Sequence, residues 1–217
     1  MKRIISLIVC AYIITSMSSC GKGNKVEDVV TDIAESITDI VGNVTGKDEE
    51  SNTKKETSKT ENTDSAEALL VAIWSSVEED NRFAISGGDS ENPVMDAPGM
   101  FDITKEEELD VTLAFPMSQI GNIDDAASVV HMMNANTFTG AAYHLKNGTS
   151  TDTFAADFKE TLKNRRWMCG FPDCFTVMES NGYVITAFGA RDQVEMFKKS
   201  AEKAVKDVRV IITEDIA

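Results

Sequence analysis

Hydrophobic and polar positions divide the chain into four stretches. Residues 4–14, IISLIVCAYII, are almost unbroken apolar. From Val26 to Val44 apolar residues recur as Val26, Val30, Ile33, Ile37, Ile40 and Val44, at helical spacing, with Asp and Glu between them. That spacing predicts a short amphipathic helix. The β-branched stripe and Gly42 weaken it, so a loosely helical piece of tether fits slightly better. Residues 45–64, TGKDEESNTKKETSKTENTD, contain no apolar residue, and ten of the twenty are charged. Such a stretch cannot bury enough surface to fold and is expected to be a disordered tether, about 25 Å as a coil. Ser65 opens the only part with enough apolar pattern for a core, and residues 65–217 suit one globular domain.

Within that part a helix is expected from Ser65, with Leu69, Leu70, Ile73, Trp74 and Val77 on one face. The Gly, Pro, Asn and Asp of the following segment signal loops, and Gly87-Gly88 reads as a bare turn. Leu109–Phe115 alternates like a strand, and Asp124–Asn134 reads as a helix with two carboxylates in its first turn. From Thr137 the pattern is regular: a strand to Lys146, a helix over 150–167 and a helix over 191–206. A hairpin, CFTVMES and YVITAFG around Asn181-Gly182, lies between the helices, and DVRVIIT closes as a strand.

The order β-α-β-β-α-β over about 137–213 predicts an α+β, ferredoxin-like split sheet with both helices on one face. Along YVITAFG both faces are apolar, so the second face needs a cover. The N-terminal helix, loop and strand extension, 65–134, is expected to supply it. A homodimer through an open sheet face is the competing expectation.

Met1-Lys2-Arg3 ahead of the apolar run, with small residues after it, is the layout of a signal peptide over 1–19. The run is too short for a stable membrane span. Met17-Ser18-Ser19-Cys20 resembles the lipobox of bacterial lipoproteins. That resemblance implies cleavage before Cys20 and a diacylglycerol with palmitate-type chains on its thiol. Ordinary cleavage, leaving a free Cys20, is the alternative. The expected address is the extracytoplasmic side of the cell membrane, with the lipid as the contact to the bilayer.

Charge then narrows the partners. The chain carries a net −15, and losing Lys2 and Arg3 with the signal leaves −17. Nucleic acid and anionic headgroups would be repelled, so no nucleic-acid partner is expected. Cys10 leaves with the signal and Cys20 takes the lipid. Cys169 and Cys174, in MCGFPDC, are therefore expected to form a structural disulfide, ahead of free thiols or a metal pair.

No phosphate loop, nucleophile elbow or zinc spacing occurs, so neither catalytic residue, metal site nor cofactor is assigned. His131 and His144 are read as structural or surface histidines. His131, Met132 and Met133, with Met95, Met100 and Met117, suggest a soft copper site in an exported protein, but core packing is the more ordinary use of the methionines. Arg165, Arg166, Trp167 and Phe171 are the best local candidate for an anion or peptide surface, although a helix end also attracts such residues.

From Ile123 through Gly189, IDDAASVVHMMNANTF, RRWMCGFPDCF and GYVITAFG resemble small lipobox-anchored lipoproteins of unknown function in Gram-positive bacteria. Those pair a polar tether with a compact α+β domain. The resemblance implies surface attachment and no established enzyme activity. The expected function is a lipid-anchored binding or accessory module acting on an envelope protein or peptide. A cell-envelope enzyme of hydrolase type is the alternative, and metal handling a weaker one.

Overall fold

A computed structural model describes residues 64–168 and 170–216. The expected signal peptide over 1–19, the lipidated Cys20, the amphipathic segment, the tether to residue 63 and Cys169 lie outside the described residues.

Helix α1, Ala66–Ser75, starts where Ser65 is extended and its Oγ accepts the Ala68 N–H at 3.1 Å. The Asp125 carboxylate accepts the Ala66 N–H at 2.7 Å, so two orphan donors of the first turn are satisfied. Three short strands follow, β1 (Ile85–Gly87), β2 (Val94–Met95) and β3 (Gly99–Met100), then α2 (Glu106–Leu113). The second half holds β4 (Ile123–His131), β5 (Phe138–Leu145), α3 (Thr151–Asn164), β6 (Cys174–Ser180), β7 (Tyr183–Gly189), α4 (Arg191–Ala204) and β8 (Arg209–Asp215).

The fold is α+β, with one open, antiparallel, eight-stranded sheet. Its order is β2-β1-β4-β5-β7-β6-β8, and β3 also pairs with β4. The hairpin turns at Asn181-Gly182, both with positive φ, as the type I′ signature requires.

Two expected elements change type. Leu109–Phe115 is not a strand: its first five residues, Leu109–Leu113, are the end of α2, where Leu109 and Leu113 are buried one turn apart and Val111 is 65% exposed. Glu106, Glu107 and Glu108 complement the helix N-terminus, and Ala114 ends it in the left-handed region at φ 51°. Asp124–Asn134 is not a helix but most of β4. This strand is central and buried on both sides, so its apolar residues run together instead of alternating. A register shift between Ile123 and Asp125 further breaks its parity.

The six elements from β5 to β8 follow the expected order, yet the last strand differs from a ferredoxin-like sheet. There the closing strand would lie beside the first; here β8 lies beside β6, and β4 occupies the outer side of β5. This moves a helix. β5 and β7 run in opposite directions, and both crossovers, β5-α3-β6 and β7-α4-β8, advance the same way across the sheet. Right-handed crossovers then fall on opposite faces.

The cores agree. One face packs Phe138, Ala142, Ile185 and Met178 under α1 and α4. The other packs Ala141, Tyr143, Val184, Phe175 and Val177 under α3 and α2. The expectation of both helices on one face, with 65–134 covering the other, is therefore corrected: each face has one crossover helix and one helix from the N-terminal extension. A homodimer through an open face has no open face to use among the described residues.

Candidate functional site

The expected surface at Arg165–Phe171 lies where α3 gives way to the segment entering β6. Arg165 is the C-cap of α3, its N–H donating to the Leu162 carbonyl. Its guanidinium donates to Asp110 Oδ1 at 2.9 Å and to the Val111 carbonyl at 2.8 Å, and stands 5.6 Å from the Trp167 ring centre. Trp167 packs on Phe188, with centroids 5.4 Å apart, and against the α3-side core. Arg165 and Trp167 are thus built into the fold. Arg166 and Phe171 are exposed, the latter at 58%.

A second loop joins them. Asn136, between β4 and β5, donates from Nδ2 to the Met168 carbonyl at 2.6 Å and to the Gly170 carbonyl at 3.0 Å. The two loops are therefore fastened together, and both carry apolar side chains into solvent. Met133 is 83% exposed, Met168 78% and Met132 51%. Met95 and Met100 are exposed as well, so core packing fails as the explanation for four of the methionines considered. Exposed methionine is costly and soft, the material of adaptable contact surfaces. Sequence reasoning found Arg166 and Phe171, placed Met132 and Met133 in a soft metal set or the core instead, and missed Met168 and the tie through Asn136. The adjacent methionines beside Asn-Ala-Asn were the available signal.

Cys174, at the start of β6, is buried, and that burial pushes the pKa of its thiol up. It is a poor nucleophile in that state. Its expected disulfide with Cys169 lies outside the described residues. His131 ends β4, stacks on Phe83 at 4.9 Å and accepts the Met133 N–H on Nδ1 at 3.1 Å.

A cleft of about 500 Å³ lies between α1, the β2–β3 region and β4. Five carboxylates line it, Glu67, Asp89, Asp102, Asp124 and Asp125, over Phe101 and Ile103. Four are already engaged. Asp125 holds the start of α1, Asp124 contacts His144 Nδ1, and Asp102 accepts from the hydroxyl and N–H of Thr104. Asp89 accepts the Lys105 ammonium at 2.6 Å and the N–H groups of Glu91, Asn92 and Asp102. Burial pushes Asp89 upward, but Lys105 and the backbone donors outweigh it and hold it well below the ordinary carboxylate range. Among the described residues no group of three or more His, Cys, Asp and Glu is placed to hold a metal. No helix among them is long and apolar enough to cross a membrane.

Compared with known proteins, the chain matches no protein-family model, no curated protein and no solved structure.

Proposed function

We propose that this chain is a lipid-anchored module on the extracytoplasmic side of the cell membrane that binds an envelope protein or peptide. The surface is the end of the sheet where the β4–β5 loop meets segment 165–171. One observation carries the reading: Met132, Met133, Met168 and Phe171 stand in solvent on two loops fastened by Asn136. Methionine adapts to varied partner shapes, Phe171 adds rigid apolar area, and Arg166 offers a donor fork for a carboxylate. The anchor rests on the pattern of residues 1–20, and the tether length on 45–64.

Crosslinking in intact cells, followed by pull-down and fractionation, tests both parts. Cys20→Ala is expected to leave the membrane fraction; unchanged fractionation would overturn the anchor. Met133→Ser with Phe171→Ser is expected to stay membrane-bound and folded but lose its crosslinked partner. A crosslink of undiminished yield would overturn the surface.

The enzyme alternative has one observation in its favour, the His144–Asp124 contact, with Asp124 lining the acidic cleft. A hydrolysis assay on envelope-derived peptides and esters, abolished by His144→Gln, would favour it over the binding reading.

A further inference from the structure

The sheet is covered on its faces but open at β8. Among the described residues this strand pairs only with β6, and its outer edge is free over Arg209–Asp215. The Ile216 N–H donates to the Asp173 carbonyl at 3.0 Å. By the alternation of an antiparallel ladder, the backbone groups of Glu214 and Ile212 then turn toward β6, and those of Asp215 and Thr213 turn outward. The register shifts where Val177 faces Ile212 while Met178 faces Val210, so Ile211 is an extra residue. Val210 therefore takes the next outward position.

We infer that β8 pairs with β8 of a second copy of this chain, antiparallel about a twofold axis at Ile212. Counted through the bulge, this register sets Thr213 opposite the partner copy's Val210, and symmetry repeats the exchange of N–H and C=O groups. It also sets Arg209 opposite the partner copy's Glu214. Both side chains stand on the α3 face: Arg209 lies opposite Glu179 of β6, Glu214 lies opposite Phe175, and Glu214 pairs with Lys159 of α3 at 2.7 Å. Directly opposed cross-strand residues of opposite charge attract, and like charges repel.

Centring the pairing on Glu214 would oppose glutamates, and centring it on Arg209 would oppose arginines. Only the register about Ile212 opposes Arg209 to Glu214, and the symmetry makes two such pairs. Charges on an edge strand usually discourage pairing. Here the same charges select one isologous pairing. Val210, 38% exposed, would gain a neighbour.

Sedimentation equilibrium of the mature chain from residue 20 carrying Cys20→Ala, so that neither the signal peptide nor an acyl chain drives association, tests this. A monomer–dimer equilibrium is expected. Arg209→Glu opposes glutamate to glutamate twice and should weaken the dimer about tenfold. Arg209 also pairs with Glu179 of its own chain at 3.0 Å, so Glu179→Gln, which removes that pair and leaves Arg209 to the partner copy, should leave the dimer intact. Thr213→Pro removes an outward N–H while sparing the ladder to β6, and should abolish the dimer. A monomer at every concentration into the millimolar range would overturn the inference. So would a dimer indifferent to both Arg209→Glu and Thr213→Pro, since it would use another surface.

Discussion

Asp89 is the residue on which the N-terminal extension turns. Its carboxylate, buried in a loop, gathers three backbone donors and the Lys105 ammonium from the segment leading into α2. Removing it leaves those donors without an acceptor. Asp89→Ala should therefore cost about 2–4 kcal/mol of unfolding free energy, read from urea denaturation. The pH dependence follows from the lowered pKa. An unfolded Asp titrates near 3.9. The folded group titrates well below that, so its contribution is complete above about pH 4 and is lost as pH falls toward the folded value. Between about pH 6 and pH 3 the stability gap between wild type and Asp89→Asn should narrow; a constant gap would mean the charge contributes nothing. None of this is legible in SGGDS, which reads as a bare turn. Gly87 is needed because a Cβ there would meet the Gly99 nitrogen at 2.1 Å, a contact that exists only after β1 and β3 have come together.

At the scale of elements, the sequence is legible where one face is wet. α3 and α4 have apolar stripes over charged backs, Ser150 caps α3 through the Thr153 N–H, and Asn181-Gly182 announces the hairpin. It is illegible where a strand is dry on both sides: Ala126 to Val129 of β4 are all buried and offer no period of two. In α2 the apparent alternation of Leu109, Val111 and Leu113 misled, because Val111 points to solvent. The junction between β7 and α4 offers a sharp test. Gly189 has φ 147°, and a Cβ there would lie 2.2 Å from the Thr137 carbonyl oxygen. Thr137 leads into β5, so any relief must shift the central ladder. Gly189→Ala should cost at least about 2 kcal/mol in urea denaturation, and an unchanged midpoint would show that the loop before β5 gives way freely. Two of the five side chains of the candidate surface, Arg166 and Phe171, were legible by the same logic. Aromatic and cationic residues at a helix end draw attention, whereas exposed methionines look like core until the backbone turns them out.

At the scale of the molecule, one sheet serves two cores. β5 sends Phe138 and Ala142 to the α1/α4 side, and Ala141, Tyr143 and Leu145 to the α3/α2 side. β7 divides in the same way, Ile185 and Ala187 against Val184 and Phe188. Neither core can loosen without exposing strands that the other needs, so the two faces should unfold as one cooperative unit. The chain holds two tryptophans and they report separately: Trp74 sits in the α1/α4 core, and Trp167 packs against the α3/α2 core. Trp74→Phe leaves only the second reporter, and Trp167→Phe only the first. Within each single-tryptophan variant, emission in urea should follow the far-ultraviolet dichroism curve with a common midpoint and slope. If emission from Trp74 changed at lower urea than the dichroism of the same variant, α1 would be a detachable cover. The Asp125 carboxylate that receives its first N–H would then be a latch between the N-terminal extension and the sheet, and Asp125→Ala should widen that separation.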